Sequence, residues 1–260
     1  MRRAATSRFL RGLSSIAGLC LCCSAFQARG QQSPVAGQPV AVQIDVRGEK
    51  PEGASGHAQT GDAASNVAVW LVPVDVAAPD SAAGQKARLR SRLTQRNKNF
   101  EPHLLVVEVG TTIDFPNRDP FFHNVFSLFD GKRFDLGLYE AGATNSARFD
   151  RVGVSFLFCN IHPEMSAVIV AVNTPYFAVT DRSGRATLAN VPDGRYEMHV
   201  WSERGVPEDL KNQTRAVTIS TTSRTLPAVR LLPNPNFNSA HKNKYGQDYV
   251  PPPDTSYIHP

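Results

Sequence analysis

Residues 158–165 read FCNIHPEM and place a thiol, an imidazole and a thioether at three-residue intervals, as Cys159, His162 and Met165. Strand-like runs on both sides make this stretch a loop, where side chains so spaced can converge on one point. Soft sulfur beside borderline nitrogen suits copper. Two His and one Cys in a trigonal plane, with a weak axial Met, make an electron-transfer copper site. The second imidazole stands upstream in FHNVFS, as His123 after the turn Asn117-Arg-Asp-Pro120. Zinc is the main competing metal, but Met is a poor zinc ligand and structural zinc sites use paired Cys and His. A Cys–His nucleophile is disfavoured, because no orienting third residue or oxyanion device is recognisable. No other histidine (His57, His103, His199, His241, His259) is assigned a function.

The cysteine count sharpens the point. Residues 1–30 carry Arg2, Arg3, Arg8 and Arg11, then an apolar run over residues 13–26 and the small pair Ala28 and Gly30, which is a secretory signal pattern. Cleavage near Gln31 removes three of the four cysteines and leaves Cys159 alone. A single thiol in an oxidising compartment is read either as a small buried core residue or as a metal-held thiolate. Lipidation at Cys20, Cys22 or Cys23 is not expected, since Leu19, Leu21 and Cys22 stand where a lipoprotein signal places Gly, Ala or Ser.

The leader also accounts for the net charge. Of 28 Lys and Arg, five lie in residues 1–30, which leaves 23 basic against 23 acidic residues and gives no ground for nucleic-acid binding. No later stretch approaches twenty apolar residues, so no integral membrane span is expected.

The elements that must position the ligands read as short strands. After a polar leader, residues 40–46 alternate and residues 66–76 are Val-rich with Trp70, read as core like Trp201. Residues 77–98 are small and basic, read as a linker. Between residues 99 and 173, runs at 104–109, 111–115, 124–129, 146–150, 154–158 and 167–172 are separated by Gly, Pro and Asn turns, the pattern of a sandwich or barrel. A second pattern over residues 174–232 has runs at 176–180, 186–189, 196–201, 215–219 and 227–231. Residues 233–260 are rich in Asn, Pro, Tyr and Lys and read as an extended, poorly ordered tail. The sequon at Asn212 is read as incidental.

The first pattern, with V-G-T-x-I-x-F-x-N-x-D, H-N-V and G-V-S-F-x-F-C-N-I-H-P-E-M, resembles the cupredoxins, and its short Cys-x-x-His-x-x-Met loop is similar to that of amicyanin. The resemblance implies a Greek-key β-sandwich with one type 1 copper ion. His123 and His162 would bind through ring nitrogen, Cys159 through its thiolate and Met165 axially. Asn124 would tie the two ligand-bearing loops together, and His162 would be the electron port. Pro163, with Phe121 and Phe122, would form an apolar docking rim; for the phenylalanines the competing reading is core packing. The second pattern resembles the carboxypeptidase regulatory-like (transthyretin-like) β-sandwich, through Thr180-Asp181, Gly184, Asn190, Pro192, Gly194, Tyr196 and Val200.

That second family begins with two strands of the kind at residues 40–46 and 66–74, and nothing similar directly precedes Tyr176. The copper domain is therefore expected to be inserted into the second sandwich, splitting it between residues 40–76 and 174–232. The rival expectation pairs the early strands within the cupredoxin sheet. The whole reads as an all-β, secreted, bacterial periplasmic copper protein, not an enzyme, that passes single electrons to transient redox partner proteins. The alternative is a copper-binding or copper-delivery protein whose second domain recognises a partner.

Overall fold

Alternation decides which way each strand faces, and apolar runs that do not alternate, as at Val67–Pro73 and Ser166–Val172, show where two cores meet. A computed structural model of the chain describes residues 38–46, 64–75, 90–128, 131–238 and 240–249. The expected leader at residues 1–30 and most of the expected basic linker lie outside these residues. Described residues are almost all β. The strands are β1 (Gln38–Val46), β2 (Val67–Pro73), β3 (Arg90–Arg92), β4 (Thr94–Arg96), β5 (Asn99–Glu101), β6 (Leu104–Glu108), β7 (Thr112–Pro116), β8 (His123–Ser127) and β9 (Phe134–Tyr139). They continue as β10 (Thr144–Arg148), β11 (Gly153–Phe158), β12 (Ser166–Val172), β13 (Phe177–Val179), β14 (Arg185–Val191) and β15 (Gly194–Ser202). A short helix α1 (Pro207–Asn212) precedes β16 (Arg215–Ile219) and β17 (Val229–Leu231).

One sandwich faces a five-stranded sheet, ordered β6-β12-β11-β8-β9, with a three-stranded sheet, β10-β7-β3. Its core holds Leu93, Phe100, Ile113, Phe115, Val125, Phe149, Leu157 and Ile169, and Cys159 and Met165 belong to the same cluster. The other sandwich is built from β13-β2-β15-β16 and β14-β1-β17 around Val67, Val69, Leu71, Leu188, Met198 and Val229. The early strands thus pair with late ones. β1 lies between β14 and β17, and β2 lies between β13 and β15.

The two sandwiches share a third apolar layer. Leu104, Val106, Val168, Val170 and Val172 on the outer face of the five-stranded sheet pack with Ala68, and Trp70, Phe156 and Trp201 close over them. This is why SAVIVAV in β12 is a continuous apolar run: Ala167, Ile169 and Ala171 face one core and Val168, Val170 and Val172 the other.

Turn chemistry accounts for the sequence signature of the second sandwich. Thr180 Oγ1 accepts from the Val67 N–H and donates to the Ala64 carbonyl. Asp181 Oδ1 accepts from the N–H groups of Ser183 and Arg185, and Gly184 takes the positive φ that closes the turn. The Tyr196 hydroxyl, on a buried ring, donates back to the Pro192 carbonyl.

Three expectations are corrected. The basic stretch does not stay a linker to residue 98, because β3 and β4 already form from Arg90 onward, with the guanidinium of Arg90 on Asp114. β9 was not expected, since Gly137 and Asp135 interrupt its apolar residues. Gly137 has a φ of +68° and sits in a bulge, where the register shifts opposite Val125. The tail, read as extended, instead turns at residues 243–247 and packs on the end of β11.

Candidate metal centre

The ligand-bearing loop is short because two strands force it to be. β11 and β12 pair as far as Phe158↔Ser166, so residues 159–165 must reverse the chain at once. The Cys159 N–H donates to the Met165 carbonyl (3.2 Å) and the Met165 N–H to the His162 carbonyl (3.1 Å), which fixes the bend. On the other side of β11, β8 pairs through Phe126↔Phe158 and brings its first residue, His123, to the same end.

The ligand atoms of His123, Cys159 and His162 consequently lie within 4.8 Å of one another. Cys159 Sγ is 3.8 Å from His123 Nδ1 and 3.5 Å from His162 Nδ1. Bonds of about 2.0–2.1 Å to nitrogen and about 2.3 Å to sulfur, at angles of about 110–120°, separate these atoms by about 3.5–3.8 Å. The two sulfur–nitrogen edges therefore already match ligands of one ion of that size. His123, Cys159 and Met165 are fully buried, and His162 is half-buried. Met165, the thioether that the sequence offers as a fourth donor, lies in the core cluster that contains Cys159.

The far nitrogen of His123 is also fixed. Nε2 meets Asp119 Oδ2 at 2.7 Å, which leaves Nδ1 as the nitrogen available to a metal. Asp119 is buried, and its carboxylate accepts the N–H groups of Asn97 (2.6 Å) and Lys98 (2.9 Å). Its own N–H donates to Asn117 Oδ1, while Asn117 Nδ2 donates to the Phe121 carbonyl. The segment NRDPFFH is thus a folded bracket that holds the imidazole.

Asn124 does not tie the two ligand-bearing loops together through its side chain. Its Nδ2 donates to Asp135 Oδ1 (2.7 Å) and to the Gly137 carbonyl (2.9 Å), filling the β9 bulge, and its backbone N–H faces the Cys159 sulfur. Phe121 packs edge-on against the His123 ring (5.2 Å) and near that of His162 (5.4 Å), so it is a packing residue. Phe122 and Pro163 are exposed at the same end, together with Ile161.

Burial pushes the Cys159 thiol up, against the backbone N–H groups of Asn124, Ile161 and His162 that favour the thiolate. The raised thiol keeps its proton at neutral pH, and a metal bound there would displace it. Burial and then the charge of His123 lower His162, which favours the neutral, ligating imidazole. Burial works to raise the Asp119 carboxyl, but the Lys98 N–H, His123 and the Asn97 N–H outweigh it and hold it below the ordinary range.

Sequence reasoning missed Asp119, which it read only as part of a turn; an acid four residues before the ligand His was the available signal. It also missed His241 and Tyr249, which reach the centre from the tail.

No protein-family model matches the chain, and no curated protein matches it. Among solved structures it is similar to a novel purple cupredoxin from Nitrosopumilus maritimus, at 22% identity over 32% of this chain and 99% of that one, with a TM-score of 0.29. It is similar to a Cu-containing nitrite reductase from Thermus scotoductus, at 24% identity over 38% of this chain and 25% of that one, TM-score 0.31. A Cu(I) form of a mutant amicyanin matches at 21% identity over 40% of this chain and 98% of that one, TM-score 0.30. These matches cover two fifths of this chain or less, and the chemistry of the centre stands on its ligand atoms.

Proposed function

We propose that His123, Cys159 and His162 bind one copper ion in a trigonal plane with Met165 on the axis, and that the protein is a secreted carrier of single electrons. The observation that carries this is the spacing of the Cys159 sulfur, 3.8 and 3.5 Å from two imidazole nitrogens in a buried pocket. One Cys, two His and a thioether are a copper donor set, and they lack the paired Cys and His of a structural zinc site. Bound copper would supply the one-electron Cu(I)/Cu(II) couple. The chain contributes donors that need not move, because His123 is braced by Asp119 and the loop by its own backbone bonds.

Half-buried His162 is the proposed electron port, with exposed Phe122 (55%), Ile161 (42%) and Pro163 as an apolar rim for a transiently bound redox partner. A buried thiol with a raised pKa argues against a nucleophilic cysteine, which needs an accessible thiolate. Export rests on the leader at residues 1–30; among the described residues no helix is long and apolar enough to cross a membrane. We further propose that residues 38–73 and 177–231 are halves of one regulatory-like sandwich, with the copper sandwich inserted between them.

The test is Cu(II) titration of the purified protein. An intense blue thiolate charge-transfer band is expected, lost in Cys159→Ala and kept in His103→Ala, with reversible one-electron voltammetry. A protein that binds copper yet stays colourless refutes the reading. Ready release of Cu(I) to a chelating acceptor, without fast electron self-exchange, would replace it with copper delivery.

A further inference from the structure

The peptide of Cys159 lies just beyond the last residue pair between β11 and β12, so its carbonyl has no partner in that ladder. The tail supplies one. The Tyr249 hydroxyl donates to the Cys159 carbonyl at 2.6 Å. The Lys244 N–H donates to Asn160 Oδ1 at 3.0 Å, and the His241 ring stacks on Phe158 with centroids 4.1 Å apart. The tail therefore grips the cysteine and both of its chain neighbours.

The tail is shaped for this grip. Asn243 Oδ1 accepts from the N–H groups of Tyr245 and Gln247, and the Gly246 N–H donates to the Asn243 carbonyl, with Gly246 at a φ of +76°. The turn brings His241 and Tyr249 together, ring centroids 5.3 Å apart and nearly perpendicular. Lys244 Nζ also pairs with Asp135 Oδ2 at 2.8 Å, and Asp135 Oδ1 holds Asn124, whose backbone N–H faces the Cys159 sulfur. Two routes thus lead from the tail to one sulfur atom, one through the carbonyl and one through Asp135 and Asn124.

We propose that residues 240–249 are a latch on the ligand loop, with Tyr249 as a positioning residue that fixes the Cys159 peptide and so the direction and accessibility of its sulfur. The proposal rests on the reading of Cys159 as a metal ligand, but the latch itself can be tested without metal. The metal-free protein without residues 1–30, so that Cys159 is its single thiol, its Tyr249→Phe variant and a form of it ending at Asn238 are each treated with an excess of dithiobisnitrobenzoate. Loss of one part-buried hydrogen bond should speed thiol reaction about fivefold in Tyr249→Phe, and loss of the whole latch should speed it more than about tenfold. Tyr245→Phe, at an exposed ring, should react like the parent.

Loaded with copper, both latch variants should also shift the blue band and lose copper to a chelator faster, readouts that a loss of general stability alone does not move together. Tyr249→Phe keeps the ring and removes one oxygen, so it tests the latch even if the shortened chain does not fold. Unchanged thiol reactivity in Tyr249→Phe, with an unshifted band, overturns the proposal. If the parent shows no blue band while thiol protection still depends on Tyr249, the copper reading fails and the latch stands.

Discussion

Asp119 Oδ2 lies 2.7 Å from His123 Nε2, on the side of the ring opposite the Cys159 sulfur. The carboxylate therefore settles which nitrogen carries the proton and makes the ligating nitrogen a better donor. Asp119→Asn keeps the shape of the bracket and removes the charge. It should weaken copper binding about 10–100-fold, as loss of such a partner does elsewhere, with only a modest change in folding. Competition against a chelator of known affinity measures the first and urea denaturation the second. Unaltered affinity would mean that the backbone alone fixes the ring.

The strand that leads to Cys159 is also pressed from behind, by the turn between β8 and β9. Gly131 has a φ of +84°, and a Cβ there would sit 2.5 Å from both Ser155 Oγ and the Val154 carbonyl oxygen. The neighbouring Lys132 N–H donates to Ser155 Oγ at 2.8 Å, so the turn cannot back away without losing that bond. Gly131→Ala should cost about 2–4 kcal/mol, from the left-handed backbone and the clash together. The urea midpoint should fall with an unchanged slope. The copper band should keep its position in the fraction that remains folded.

The candidate ligands were legible because their chemistry is local: Cys159, His162 and Met165 share one loop, and type and spacing suffice to suspect a soft metal. The turn signature at Thr180, Asp181 and Gly184 was legible for the same reason, since each residue acts on a backbone a few positions away. What supports the centre was not. Asp119 looks like any turn residue until the chain folds, Gly137 reads as a strand breaker until its bulge meets Asn124, and Tyr249 meets Cys159 across ninety residues. Only long-range contacts reveal such partners.

His103 and Glu203 form a pair at 2.7 Å that joins the start of β6 to the end of β15, across the shared layer between the sandwiches. The hydrogen bond that His103 donates to Glu203 raises its pKa, against the opposing effect of burial, so the folded state binds its proton more tightly than the unfolded chain. The contribution is therefore full below the unfolded value of about 6.5 and is lost as pH rises through the higher folded value. Solvent screens the pair, since the His103 side chain is 38% exposed, and its worth is about 0.5 kcal/mol. The stability gap between the parent and His103→Gln should close as pH is raised from 6 towards 9. A gap that is flat or widens would show that packing, not the ion pair, is what His103 contributes.

Met165 has two roles that substitution can separate, since its side chain is fully buried in the core and also carries the thioether. Met165→Ala would open a cavity and should cost about 2–5 kcal/mol. Met165→Leu conserves volume and should cost under about 1.5 kcal/mol. If the thioether is an axial ligand, Met165→Leu should still move the reduction potential and the blue band, because the axial ligand tunes the metal. Voltammetry and absorbance of Met165→Leu, beside its urea curve, decide the matter. A near-parental fold with a changed potential assigns the sulfur to the metal, whereas a near-parental fold with the parental potential and spectrum leaves Met165 as core packing and the ion with three ligands.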